Sequence, residues 1–499
     1  MEFVRYLLGT SPPQPINETD DVFPLHMLDD TQTLRQILVG WTLHFNDVLD
    51  ADKLHASLSA LLDTGDWRKL GGRLRLKNGK LELHVPQRYT ESRPALTYSH
   101  KTSLVNLRDH PLGSKLPNPT DKAAVSIYDD PVSFRPFVAR DHHPETFEDY
   151  LYHDTPILSL HITSFNDATL VALTWPHCIM DVLGQQALLK AWCLVLAGQE
   201  SQLPPLLGAR QDTMAALADD PSEPPEEFTL KNSLLQGFAF GNFVFHLMWD
   251  RFWNPPLETH ILFVPKQFID RLKTQAQNDL KSASKEGDKE APIFVSEGDV
   301  ITAWMSRFIS SSLPAPRPIT VLHAVNTRLR FPALKQAAGL YVQNMALGAF
   351  TFLSPETAQK RLGQVALENR THLMEQATKG QMLAFLRHLR SSGAAADPAH
   401  VLCGPSDGLL LPFTNWERAD FFNVIDFGPA VKAAGEKSEF RTNPPGKMVH
   451  HHALNLQRNQ SNMNVVVVLG KEQQGNYWLS ACLLPSTWVK IKESLTDTV

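Results

Sequence analysis

The sequence predicts a mixed α/β (α+β) protein built as one large two-lobed body, and three observations carry that reading. No period of about 20 to 50 residues repeats along the 499-residue chain, which removes solenoids and propellers. Segments with strand-like alternation and segments with helical spacing follow one another from end to end. Near the middle, the proline-rich and acidic stretch Ser201 to Glu227 breaks the pattern and reads as a surface crossover. The expected organisation is an N-terminal lobe over 1–205, a crossover over 206–230 and a C-terminal lobe over 231–499. A segment around 390–425 is expected to be able to pack with the first lobe.

The elements follow in order. Residues from about Ala51 to Leu62 carry apolar positions at helical spacing. In RLRLKNGKLELHV, Leu74 and Leu76 alternate with charged residues, Asn78-Gly79 makes the turn, and Leu81, Leu83 and Val85 alternate again. Asn-Gly accepts the positive φ of a type I′ turn, so this is a hairpin. Ala168 to Trp175 reads as a buried strand, and Gln185 to Gly198 as a helix ended by glycine. Thr229 to Trp253 is unusually aromatic and reads as a packed helix or lobe contact, or else as a tunnel wall or membrane-surface contact. Beyond it the pattern predicts a helix from Glu297 to about Ser310, a strand near Ile319 to Arg330 and helices across about Glu356 to Leu389. An exposed loop over Ser391 to Asp407 and strands near Asn464 to Leu469 and Trp478 to Leu484 complete the reading.

Composition narrows the function classes. Apolar residues at 43% and charged residues at 20% match soluble globular usage. Forty-seven basic against fifty-three acidic side chains leave a net charge of −6, with no basic excess to neutralise a nucleic-acid backbone. No stretch reaches about 18 uninterrupted apolar residues, and Glu2 stands where a secretory signal would be basic. The four cysteines, Cys178, Cys193, Cys403 and Cys482, lie far apart and form no CxxC pair. A soluble, unprocessed, cytoplasmic protein without a thiolate metal site is expected.

The chemistry-bearing candidate is His177-Cys178-Ile179-Met180-Asp181. An HxxxD match is weak in itself, and two more occur, His26 to Asp30 and His246 to Asp250. Only His177 lies just past a buried strand and before a helix, where strand ends converge on a crevice. A neutral imidazole there can accept a proton near pH 7. Asp181 reads as the N-cap of the following helix, as an orienting group, or as both. It could also lock the loop through a basic partner, for which Asn326, Arg328 and Arg330, sharing one face of a strand, are candidates. Asp426-Phe427-Gly428 matches a kinase metal motif, but no glycine-rich phosphate loop or HRD loop accompanies it, so that reading fails. His450 and His452 would share a face on a strand, yet no third metal ligand is identifiable, and His450-His451-His452 reads as a solvated loop with no metal.

Together these segments resemble the BAHD acyltransferase family, in particular its fungal branch acting on secondary metabolites. The residues that carry the resemblance are His177-x-x-x-Asp181 followed by Gly184, Asn326-x-Arg328-x-Arg330, and Trp416 to Gly428 in place of the family's SW…DFGWG region. Leu70 to Leu74, Ser296 to Trp304 and Tyr341 to Asn344 are weaker echoes, and all stand in the family's order over nearly the whole chain. DFGWG here reads Asp426-Phe427-Gly428-Pro429-Ala430, and Gly184 comes three residues after Asp181 instead of one.

The resemblance implies two chloramphenicol-acetyltransferase-like lobes with a tunnel between them for acyl-CoA and acceptor. His177 would be the general base. Asp181 would hold its loop by a salt bridge to Arg328 or Arg330, and Thr414 and the Trp416 indole would stabilise the oxyanion. Ser296 and Lys289 would contact coenzyme A, while Asp426 and Gly428 would be structural. No cofactor would be permanently bound and no metal used. Acyl-CoA, by default acetyl-CoA, would be a co-substrate, and the chain would act as a monomer, without nucleic acid or stable membrane insertion, on a hydroxyl of a hydrophobic natural product. The rival readings are a repurposed fold serving as binding protein or cyclase, an N-acyltransferase, and a hydrolase, which lacks a GxSxG elbow here.

Overall fold

The computed structural model describes residues 14–117, 124–139, 143–283, 294–391, 397, 401–435, 443–457 and 463–496. Local rules account for much of it. The hairpin forms from strands Arg73–Lys77 and Lys80–Val85, and Asn78 and Gly79 both adopt positive φ, 53° and 79°. The Ala51–Leu61 helix is N-capped by Asp50, whose side chain accepts from Lys53 N, and it buries Leu54, Leu58 and Leu61 on one stripe.

A five-stranded sheet runs in the order His450–Asn455, Leu38–Phe45, Thr169–Pro176, Ser159–Ser164, Thr97–Thr102. It is antiparallel except for its last pair. Every residue of Leu38–Phe45 and of Thr169–Pro176 is buried, so both faces are covered. On one face, Phe45 stacks on Phe427, which in turn meets Trp192 of the Val182–Leu196 helix. On the other, His450 packs on Trp478 of a second sheet, with ring centroids 4.3 Å apart.

That second sheet has seven strands, ordered Ala346–Leu353, Ile319–Asn326, Leu409–Asn415, Val465–Lys471, Tyr477–Leu483, Glu258–Val264, Ser126–Tyr128. The helices Glu297–Ser312, Leu362–Gln376 and Pro485–Thr496 share its core through Val300, Ile301, Met305, Val365 and Ile491. Strand pairing crosses the expected division at 206–230 three times, once in a two-stranded ribbon of Val431–Ala434 with Asp47–Leu49 and once in each large sheet. Ser126–Tyr128 pairs at the edge of the seven-stranded sheet, and His450–Asn455 pairs with Leu38–Phe45 of the five-stranded one. Leu409–Asn415 stays inside the larger sheet, so the chain changes partner after that strand.

Three expectations are corrected. His450-His451-His452 is a fully buried strand, because it pairs with Leu38–Phe45, an inner strand of a sheet covered on both faces. Trp41 Nε1 donates to His451 Nδ1 at 3.1 Å, whereas both ring nitrogens of His450 and of His452 lack partners among the described residues. The aromatic segment forms the Gly237–Trp253 helix, but only Phe243 is buried, and Phe238 is 92% and Phe252 78% exposed. Its narrow inward stripe is mixed: Phe243 and Ala239 join an apolar cluster, while Asn242 bonds Ser406 and Asp250 pairs with Arg317 at 2.7 Å. In the stretch expected as an exposed loop, Val401, Leu402 and Cys403 join a buried cluster. No helix among the described residues is long and apolar enough to cross a membrane.

Burial, then the neighbouring histidines, pushes the His450 imidazole well below its usual range; His451 and His452 fall to about 3 and His44 to about 4. Unfolded imidazoles titrate near 6.5, so below that pH the unfolded chain takes up protons that the folded chain does not. Stability is therefore expected to be level above about pH 7 and to fall as pH drops from about 6.5 toward 4, by ~1.4 kcal/mol per pH unit for each such histidine. Urea midpoints read across that range test this, and His452→Leu is expected to flatten the slope.

Candidate active site

His177 sits where the Thr169–Pro176 strand ends and before the Val182–Leu196 helix begins. Its N–H donates to Ile37 O at 2.9 Å, and Ile179 N–H turns back to Pro176 O at 3.0 Å, which carries the chain off the sheet. The His177 ring is only partly buried. Its inward nitrogen, Nδ1, is buried without a well-formed hydrogen bond, leaving Nε2 as the outward one. Burial lowers the imidazole pKa below 6.5, opposed by its own peptide group, by Asp181 and by Asn344. The ring is therefore a neutral base at pH 7. The adjacent Cys178 is fully buried, which pushes its thiol well up and removes it as a nucleophile.

Asp181 does not touch the His177 ring. Its Oδ1 accepts from Gly184 N at 2.9 Å and caps the helix. Arg328 Nη1 donates to both carboxylate oxygens, at 3.0 and 2.8 Å, and Asn326 Nδ2 and Met345 N donate to Oδ2 at 3.1 and 2.9 Å. The pair is nearly dry, with Arg328 and Asp181 side chains 11% and 6% exposed. Arg328 Nη2 also donates to Tyr341 O at 3.2 Å. Gly184 is required by close approach: a Cβ there would stand 2.0 Å from Val342 O, so the helix start can lie against the 341–345 loop only without a side chain.

Asn326, Arg328 and Arg330 do not share a strand face. The strand stops at Asn326, whose side chain accepts from Arg328 N, and Thr327–Leu329 is a 3₁₀ turn. That turn aims Arg328 at Asp181 and leaves Arg330 exposed, without a bond to Asp181. Partial burial and the charges of Arg418 and Arg370 hold the Arg330 pKa below its usual value. This basic cluster joins positions 40 and 88 residues apart, which no local spacing announces.

The remaining candidates are dispersed. Thr414 is half-buried on the Leu409–Asn415 strand. Trp416, whose N–H donates to Val468 O at 2.8 Å, stacks parallel to His451, and its indole N–H meets no acceptor among the described residues. His451 also lies against Trp41, which meets Trp175, so Trp416 and the His177 strand end on one aromatic cluster. The Ser296 hydroxyl is used in a capping box with Asp299 at the start of the Glu297–Ser312 helix. Lys289 lies outside the described residues. Asp426 accepts from Gly428 N at 2.9 Å and pairs with Lys447, beside the Phe45 end of the Leu38–Phe45 strand and away from His177. The position without an assigned role in the sequence reading is Asn344, whose Nδ2 donates to His177 O at 3.0 Å. Only its place in the weak Tyr341-to-Asn344 echo pointed to it.

A family model described as the Transferase family matches residues 126–473. The chain is 36% identical over 487 residues to O-acetyltransferase PaAT-2 of Phomopsis amygdali, covering 95% of this chain and 98% of that relative. It is 35% identical over 488 residues to acetyltransferase pyiB of Pyricularia grisea, covering 97% and 95%. Among solved structures it is similar in fold to F. graminearum TRI101 complexed with coenzyme A and T-2 mycotoxin, with a TM-score of 0.64, 14% identity and coverage of 96% and 98%. Vinorine synthase has the same two-lobed architecture, with a TM-score of 0.53, 15% identity and coverage of 96% and 93%. With a family match across most of its length and relatives above 30% identity along nearly all of it, the chain is a member of the Transferase family of BAHD-type acyltransferases.

Proposed function

We propose that the protein transfers an acetyl group from acetyl-CoA to a hydroxyl of a hydrophobic natural product, with His177 as general base. The observation that carries the reading is a partly exposed imidazole, neutral at pH 7, on a loop whose neighbouring carboxylate is fully engaged elsewhere. The ring is thus available as a base. Relatives named acetyltransferases, one of them an O-acetyltransferase, support the donor and the acceptor group. The TRI101 structure, which contains coenzyme A and a mycotoxin, supports a free thioester and a natural-product acceptor.

In this mechanism His177 Nε2 takes the acceptor hydroxyl proton as the oxygen attacks the thioester carbonyl. The tetrahedral oxyanion collapses, the carbon–sulfur bond breaks, and the imidazolium returns the proton to the coenzyme A thiolate. Thr414 and the unpartnered Trp416 indole N–H are the proposed oxyanion donors, each worth ~3 kcal/mol if aligned. Asp181 and Arg328 keep the loop in place and carry no proton. Arg330, exposed and held below its usual pKa by burial and by the charges of Arg418 and Arg370, would meet a phosphate of coenzyme A, with Arg418 beside it; Arg370 also faces Asp299 at 3.9 Å. Ser296, with its hydroxyl committed to its helix cap, is withdrawn from that role.

His177→Ala is expected to lower kcat by ~10²- to 10⁴-fold while calorimetric binding of acetyl-CoA persists. Product formed equally well without the histidine or without any thioester would sink the reading. Because the base must be neutral and its pKa is lowered, wild-type kcat/KM should stay level down to pH 6.5 and decline only below it. Arg330→Gln is expected to raise KM for acetyl-CoA ~10-fold and to leave KM for acetyl-N-acetylcysteamine, which has no phosphate, unchanged. Asp181→Ala strands a buried guanidinium and should cost ~3–5 kcal/mol in urea unfolding, whereas His177→Ala should cost far less.

A further inference from the structure

The His26-x-x-x-Asp30 segment, for which the sequence predicts no flanking elements, lies between the short strand Asp21–Pro24 and the one-turn helix Gln32–Arg35, and it approaches the His177 loop through Asn344. Asp29, within it, is fully buried. Its Oδ1 accepts from Asn344 N at 2.7 Å and from Asn344 Nδ2 at 2.9 Å, and its Oδ2 accepts from His26 N at 3.3 Å. The same Asn344 Nδ2 donates to the His177 carbonyl at 3.0 Å. A carboxylate, an amide and a carbonyl therefore form a continuous chain from Asp29 to the peptide group of His177. Three N–H donors address the two carboxylate oxygens; burial raises the Asp29 carboxyl pKa, and Lys69, His26 and the Asn344 donors oppose that rise in favour of the anion.

The charge balance around this group is specific. Lys69, on the Gly65–Gly71 turn, is 1% exposed, donates to Ala209 O at 3.3 Å, and offsets Asp29, Asp212 and Asp66. His26 faces Asp29 from its own loop and bonds Gly208 O at 2.5 Å. Across the His177 loop stand Asp181 and its partner Arg328. The next residue, Asp30, accepts from Leu81 N at 2.9 Å and pairs with Arg35, so the segment that presents Asp29 is itself tied to the hairpin.

We infer that Asp29 is a positioning residue for His177: through Asn344 it fixes the backbone of the base, and its buried negative charge stabilises the imidazolium formed during turnover. The inference rests on His177 being the base. It accounts for a feature that a purely structural ion pair does not require, namely that the hydrogen-bond chain ends on His177 itself.

Asp29→Asn keeps the shape but leaves Lys69 short of a counter-charge, and the variant is liable to misfold. The Asp29→Asn/Lys69→Met double variant removes both charges and keeps the site neutral. The first readout is the rate of carbethoxylation of His177 by diethyl pyrocarbonate, followed by peptide mass spectrometry across pH 4 to 8, which needs neither donor nor acceptor. The second is kcat and KM for acetyl-CoA. In the folded double variant the His177 labelling midpoint is expected to move lower by ~0.5 pH unit or more, because the lost carboxylate is the one joined to His177 through Asn344, whereas the lost ammonium faces Asp29, Asp212 and Asp66. Alongside it kcat should fall ~10-fold, with KM within ~2-fold of wild type. A folded double variant with the wild-type midpoint and kcat overturns the inference. If wild-type protein transfers no acyl group, the catalytic reading fails, and a shifted midpoint would still establish the coupling of Asp29 to His177.

Discussion

The carboxylate of Asp181 is the point on which the site depends. It begins the Val182–Leu196 helix, and the same two oxygens receive Arg328, Asn326 and the Met345 N–H from the other sheet's strand end and loop. One buried anion therefore joins the helix that follows the His177 loop to the body that faces it. An isolated carboxylate so placed would be strongly penalised, and the pairing is favourable only because almost every lone-pair direction is taken. The glycine at 184 belongs to the same constraint. Without it, Val342 O would be displaced, and the Met345 N–H with it.

The two sheets meet through less usual material. His450 and His452 present fully buried imidazoles toward Trp478 and Phe134, and none of their nitrogens is satisfied. Rings of this size pack well, but each buried nitrogen without a partner costs free energy, and neutrality is enforced by the surroundings. The fold thus carries an acid-sensitive interface on the same sheet whose Thr169–Pro176 strand ends at a base that must itself be neutral. Both behave alike because desolvation is the dominant influence on each.

Much of this was legible where short-range physics decides. Asn78-Gly79 needs only its own φ preferences to turn a hairpin, and Asp181 needs only the N–H of Gly184 to start a helix. The family resemblance, carried by motifs in a set order, reached further than any single motif, since HxxxD occurs three times and only the position of His177 after a buried strand separates it. Alternation alone predicts a strand through Arg330, but the Asn326 side chain captures Arg328 N and ends the strand. Polarity predicts exposure for the histidine triplet, but its register against His44, Leu43 and Thr42 decides its burial.

By itself the sequence determined the hairpin, the strand-to-helix junction at His177, the family and the class of chemistry, because these follow from neighbours a few residues apart or from motif order. Tertiary structure alone decided that Arg328 and not Arg330 meets Asp181, that the Gly237–Trp253 helix turns Asn242, Phe243 and Asp250 inward and most of its other aromatics outward, and that Asp29 reaches His177 through Asn344. Each of these rests on groups separated by between 67 and 315 residues, such as Asp250 with Arg317 and Asp29 with Asn344. At such separations the sheet order that brings two groups together is set by the whole core, and no local pattern carries the information.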